Sequence, residues 1–132
     1  MYNQGDIILI NIPFSDLKSS KKRPALIISK NEYNKKQEDI IIAAITSNII
    51  IKDYIVEFDN DDLRNGTIPK KSCIRADKIY TLNKFIIVKK LATISDDILE
   101  KTIVMLGKVT DYKKDGNTVM IDRDSYSGQY NE

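Results

Sequence analysis

The sequence predicts a mainly β fold: a small, mostly antiparallel barrel closed by one C-terminal helix. Two observations carry this. Short runs rich in Ile and Val recur from residue 7 to residue 90, separated by polar, turn-forming segments. Branching at Cβ stiffens these side chains and suits them to a pleated surface. After Ser95 the apolar residues change to helical spacing. Several short strands followed by a single helix fit a small barrel better than a layered α/β sheet. A chain of 132 residues has room for one domain with a modest core. We expect one domain over 1–132, with its core at about 5–112 and a tail from 116 to 132.

The elements follow in order. Gly5-Asp6 precedes Ile7 to Phe14, which is apolar in both alternating sets and reads as a strand buried on both faces. Ser15 to Lys22 reads as a polar, basic loop. Pro24 to Ser29 is a second strand, with Pro at a position a strand tolerates. Asn31 to Glu38 is a short helix or a loop. Asp39 to Ile45 is a third strand, ending at Thr46-Ser47-Asn48, and Tyr54 to Phe58 is a fourth. Asp59 to Gly66 is acidic and turn-rich, with Asn65-Gly66 as a turn signal. Ser72 to Ile79 and Phe85 to Lys90 are further strands. Ser95 can cap a helix whose first turn carries Asp96 and Asp97 at the positive end of its dipole. Ile98, Thr102, Met105, Leu106 and Val109, widened by Ile103 and Val104, form its apolar stripe to about Tyr112. The segment from Thr118 onward is polar apart from Val119, Met120 and Ile121, and reads as one added strand or as disorder.

Composition removes several kinds of chemistry. The chain has no histidine, so no Ser-His-Asp triad, histidine metal cluster or His–His acid/base pair can form. Proton transfer falls to carboxylates, Lys, Tyr, hydroxyls or an unusual Arg. The single cysteine, Cys73, rules out an internal disulfide and a cysteine-based zinc site, and reads as a small strand residue in a reducing compartment. Net charge is only +2, so a phosphate-binding surface has to be local. The N-terminus lacks a basic region and its apolar run is broken by Asn11 and Pro13, so no signal peptide or membrane span is expected and the protein should be cytoplasmic.

Three clusters could carry chemistry. Lys21-Lys22-Arg23 stands before Pro24, which restricts Arg23 to extended geometry. A guanidinium so placed can grip a phosphate through two N–H bonds; the plainer alternative is a solvated basic turn. Thr46-Ser47-Asn48 leaves the end of a buried strand, where a hydroxyl can donate to a phosphoryl oxygen as charge develops. These residues also favour ordinary turns. Arg75-Ala76-Asp77 lies in a strand, so Arg75 and Asp77 share one face while Ile74 and Ala76 point to the core. In a cleft that pair offers a cation for phosphate and an acceptor for a 2′-hydroxyl proton. Elsewhere it is a surface ion pair of small worth.

Taken in order, these clusters resemble the PemK/MazF toxins. Gly5 to Ile10 with Pro13 to Leu17 looks like the family's opening, and Arg23-Pro24-Ala25-Leu26-Ile27-Ile28-Ser29 is similar to its most recognisable signature. Ala44 to Ser47, Ser72 to Ile79, and Lys89-Lys90-Leu91 before Ser95 resemble the later strands and the approach to the closing helix. The likeness covers about residues 5 to 109.

The resemblance implies an SH3-like barrel of the kind shared by these toxins and the CcdB gyrase poisons. It implies a homodimer neutralised by a cognate antitoxin, the two together forming a DNA-binding complex. It further implies a metal-independent, cofactor-free endoribonuclease that cuts single-stranded RNA by 2′-hydroxyl attack, leaving a 2′,3′-cyclic phosphate and a 5′-hydroxyl. The family's catalytic Arg and Thr map onto Arg23 and Thr46, and the Arg-x-Asp pair of its PemK branch onto Arg75 and Asp77. RNA contacts are expected from Ser19, Ser20, Lys21, Lys22, Ser47 and Asn48. That branch also uses a histidine in the first loop. Here the role is vacant or taken by Ser19, Ser20 or Lys21, and Asp16 is the only carboxylate in that loop. Two alternatives stand beside this reading: a non-catalytic toxin of the same fold that binds a protein such as gyrase, and a small nucleic-acid-binding barrel. The aromatic residues are scattered in sequence, which counts against the barrel module, since such modules display stacking platforms.

Overall fold

The apolar runs pair into one curled antiparallel sheet. The computed structural model describes residues 1–13, 20–50, 53–114 and 117–118. The elements are β1 (Asp6–Pro13), β2 (Ser20–Ile27), α1 (Asn31–Lys36), β3 (Asp39–Thr46), β4 (Ile55–Phe58), β5 (Leu63–Gly66), β6 (Ser72–Asn83), β7 (Ile87–Ile94) and α2 (Asp96–Val109). The two-residue strands β8 (Lys113–Lys114) and β9 (Asn117–Thr118) pair with each other. Among the described residues, strands β1 to β7 form one sheet in the order β4-β6-β3-β2-β1-β7-β5.

Connectivity forces this sheet to curl. From β6 to β7 the order crosses β3, β2 and β1, four strand spacings or about 19 Å if flat. The link between Asn83 and Ile87 is the 3-10 turn Lys84–Ile86. Even fully extended it spans at most about 14 Å. The strands therefore wrap round until β6 and β7 approach each other, giving the expected barrel-like architecture.

Curling divides the core in two, because alternate side chains of each strand face opposite sides. One cluster holds Ile7, Leu26, Ala43, Ile74 and Ile94, and α2 covers it with Ile98, Leu99, Ile103 and Leu106. The other holds Ile8, Ile10, Ala25, Ile27, Ile40 and Ile42, closed by Leu82, Ile86 and Ile87 at the β6–β7 turn. The first strand is thus buried on both faces, as its pattern predicts. Each fully buried isoleucine contributes roughly 2 kcal/mol of hydrophobic stabilisation. α2 starts where expected: Ser95 Oγ accepts from the Ile98 N–H at 3.3 Å, and Asp96 and Asp97 occupy its first turn.

Several boundaries differ from the sequence reading. β2 begins at Ser20, not Pro24, because residues 20–23 pair with Ile10 to Pro13 and lengthen the hairpin. Pairing with β1 overrides the polar character of those side chains. Asn65-Gly66 is no turn but the end of a strand paired with β7. The segment from Phe85 begins as a 3-10 turn with Phe85 exposed, and its strand runs on to Ile94. α2 ends at Val109, and Val104 and Val109 are exposed instead of joining its apolar stripe. The expected tail strand at Val119 to Ile121 lies outside the described residues. Among the described residues no helix is long and apolar enough to cross a membrane.

Gly66 has φ +77°, and a Cβ there would lie 2.2 Å from the Leu91 carbonyl oxygen and 2.5 Å from Ala92 Cα. Both obstacles are backbone, so nothing can swing aside. Gly66→Ala should lower stability by about 2 kcal/mol or more, read from the urea midpoint. An unchanged midpoint would show that β5 is not held against β7 as described.

Candidate active site

The candidate site lies where β3 parts from β2 and a bulge interrupts its ladder with β6. On the β2 side, the Ile28 N–H donates to the Ile41 carbonyl at 3.0 Å, while the Ile27 carbonyl accepts from Gly5 at 2.8 Å on the β1 side. Even-numbered positions of this strand therefore turn their backbone groups toward β3. Pro24 falls in that set and has no N–H to offer. The β2–β3 ladder accordingly stops at Ala25–Ala44.

On the other side, β6 carries a large bulge. Ala43 faces Ile79, yet Ala44 faces Arg75, so three residues, Ala76 to Lys78, are looped out against a single step of β3. The Ala76 N–H donates instead to the Tyr54 carbonyl at 3.0 Å. Tyr54 adopts a left-handed φ of 57°, unusual for a residue other than glycine.

These two interruptions open a cleft of about 440 Å3. Arg23, Thr46 and Arg75 line it, with Ala44 at its floor. The registers explain the grouping. Ala25, Ala44 and Arg75 stand in one cross-strand row. Arg23 and Thr46 lie two residues further along their strands, hence on the same face. Two other hollows, of about 610 and 540 Å3, flank α2 and contain none of the candidate residues.

Asp77 is not among the residues that line the cleft; it is joined to the site through Arg75. Arg75 Nε donates to Asp77 Oδ1 at 3.0 Å and Nη2 to Oδ2 at 2.6 Å, a bidentate pair. These side chains are 18% and 30% exposed, and Ile74 and Ala76 are fully buried between and beside them. The hydrogen bonds from Arg75 hold the Asp77 carboxyl below its ordinary pKa, outweighing its partial burial. The same pairing raises the pKa of Arg75. Thr46 Oγ1 accepts from the Asn48 N–H at 3.1 Å, and Asn48 Oδ1 accepts from the Ile50 N–H at 3.3 Å. The turn-forming and functional readings of this segment are therefore compatible: a hydroxyl that accepts at a lone pair keeps its O–H for donation.

The other sequence candidates stand outside the lining. Lys21, Lys22, Ser47 and Asn48 are exposed beside the cleft. The backbone of Ser20 belongs to β2, and Ser19 lies outside the described residues. Cys73 is buried, faces Thr46 across the ladder and has its thiol pKa pushed up by burial, as a structural strand residue should. Lys78 and Tyr80 also line the cleft, although the sequence did not single them out. Strand parity from Arg75 sends Tyr80 to the opposite face. Three looped-out residues reverse that parity, and no residue-level pattern announces such a bulge. Among the described residues no group of three or more carboxylates and thiols could hold a metal ion.

Residues 3–109 match the family model for PemK-like, MazF-like toxins of type II toxin-antitoxin systems. The chain belongs to this family. Solved structures agree on the fold. A mycobacterial endoribonuclease in complex with its cognate antitoxin superposes with a TM-score of 0.69 at 19% identity, covering 83% of this chain and 95% of that one. MazF in the MazE–MazF complex of Deinococcus radiodurans gives 0.69 at 20% identity, with 83% and 95% covered. The Mycobacterium tuberculosis toxin MazF-mt6 gives 0.61 at 14% identity, with 78% and 95% covered. The curled sheet with its closing helix is thus the MazF-like fold.

In this toxin-family chain the Arg75–Asp77 pair should be felt in acid. The folded pKa of Asp77 lies below its ordinary value of 3.8. The pair's contribution is therefore fully present from about pH 5 upward, and is lost as pH falls through the lowered pKa. The stability gap between wild type and Asp77→Asn, from urea melts, should stay constant from about pH 5 to 8 and close in stronger acid. A gap that grows across neutrality would contradict the pairing.

Proposed function

We propose that this chain is the toxin of a toxin–antitoxin pair and acts as a sequence-specific endoribonuclease on single-stranded RNA. The observation that carries the reading is the meeting of Arg23, Thr46 and Arg75, from three different strands, in one cleft. Two guanidiniums and a hydroxyl suit a phosphorane, whose charge builds on non-bridging oxygens during attack.

In this mechanism the 2′-hydroxyl attacks the adjacent phosphorus, giving a 2′,3′-cyclic phosphate. The 5′-oxygen leaves and takes up a proton from water. Arg23 and Arg75 stabilise the phosphorane, and the Thr46 O–H donates to a non-bridging oxygen. Asp77 starts ionised and accepts the 2′-hydroxyl proton. The bond to Arg75 that keeps it ionised also makes it a weak base, so charge stabilisation supplies the larger share of the rate. Arg23 acts as a cation and not as an acid, the role a phosphate-gripping guanidinium suits.

Two partners belong to the same proposal. Similar proteins are solved with a cognate antitoxin or as MazE–MazF, and a cationic cleft fits an inhibitory segment as well as RNA. A homodimer is favoured by the exposed Phe85 and Val88 near the second apolar cluster. We place this activity in the cytoplasm, where mRNA is the substrate at hand.

Purified protein with mixed-sequence single-stranded RNA and excess EDTA should yield fragments ending in 2′,3′-cyclic phosphate, identified by mass spectrometry. Arg23→Ala should slow cleavage on the order of 100-fold or more. Intact RNA with the wild-type protein, or undiminished cleavage by Arg23→Ala, would overturn the proposal.

A further inference from the structure

Tyr80 lines the cleft and leaves 46% of its surface exposed. It shares that lining with Arg23 and Arg75. Its position relative to Arg75 follows from the β6 bulge. Arg75 pairs with Ala44 and Tyr80 with Ile42. Five residues apart in sequence, they stand only two stations apart on β3, about 7 Å, and on the same face. Tyr80 is near enough to contribute to the raised pKa of Arg75. Ile42, its cross-strand partner, and Leu82 add aliphatic surface to the same lining, which Lys78 also shares.

We propose that Tyr80 is the stacking platform for the base next to the scissile phosphate, so that it helps to set which nucleotide is accepted there. The inference rests on the RNA-cleaving reading above and assigns a binding contact within it. Single-stranded nucleic acids are held by aromatic faces flanked by cations. Unstacked bases at the cut site need such a surface, because cleavage by 2′-hydroxyl attack requires the backbone to be splayed in line. With Arg75 on the phosphate, a ring about 7 Å along the same face meets the neighbouring base. The aliphatic side chains of Ile42 and Leu82 in the same lining offer no competing hydrogen bonds.

The experiment first maps the cut position with wild-type protein. An oligoribonucleotide of that sequence then carries 2-aminopurine beside the cut, with the attacking hydroxyl removed. Stacking on Tyr80 should quench its fluorescence on binding. Tyr80→Phe, which keeps the ring, should quench as the wild type does, whereas Tyr80→Leu, which keeps the apolar bulk, should not. On the cleavable RNA, Tyr80→Leu should raise KM about tenfold or more. Wild-type quenching by Tyr80→Leu would overturn the assignment, as would equal losses in both variants. Conversion of Tyr80→Leu to a monomer in sedimentation, with quenching retained, would make Tyr80 a packing residue and overturn it too. Failure of the wild-type protein to cut any RNA would strike the cleavage reading itself, and is seen at the mapping step before any variant is compared.

Discussion

The site depends on the interruption of both hydrogen-bond ladders of β3 at Ala44. A strand in the middle of a sheet normally satisfies its backbone on both sides and leaves no room between neighbours. Here Pro24 withholds an N–H on one side and the three-residue bulge of β6 draws the chain away on the other. The sheet opens at that point, and Arg23, Thr46 and Arg75, from three strands, face the gap. The bulge is held from outside by the bond between Ala76 and Tyr54, so the opening is built into the backbone. Sites carried on strands in this way are positioned more precisely than sites carried on loops.

Charge within the cleft is local. The chain as a whole is nearly balanced, at +2, yet Arg23, Arg75 and Lys78 converge on one hollow. Asp77 engages Arg75 through both carboxylate oxygens, which fixes the guanidinium plane at a defined angle to the cleft. A polyanion meeting Arg75 encounters an oriented pair-forming guanidinium. Ile42, Ile45 and Leu82 add apolar surface to the same lining, and apolar surroundings strengthen charge contacts.

Much of this was legible in the sequence, for reasons that can be named. The Ile-rich runs marked the strands, and Ser95 with two following aspartates marked the start of α2. Arg23 could be singled out because Pro24 follows it, and Arg75 with Asp77 because they are two apart in a strand. What escaped the sequence depends on long-range pairing. Residues 20–22 look like loop and become strand only because β1 lies opposite them. Asn65-Gly66 looks like a turn but serves a close approach to β7. Tyr80 was invisible as a cleft residue because the bulge that turns it round is a property of β6 against β3, not of β6 alone.

The central claim, that the gap at Ala44 is the RNA-binding surface, is tested most directly by amide chemical-shift mapping. The labelled protein would be titrated with a single-stranded RNA made uncleavable by 2′-deoxy substitution. The account predicts shifts concentrated at Arg23, at Ala44 to Ser47 and along Arg75 to Tyr80. Shifts confined to α2 and β4, with those segments unmoved, would contradict it.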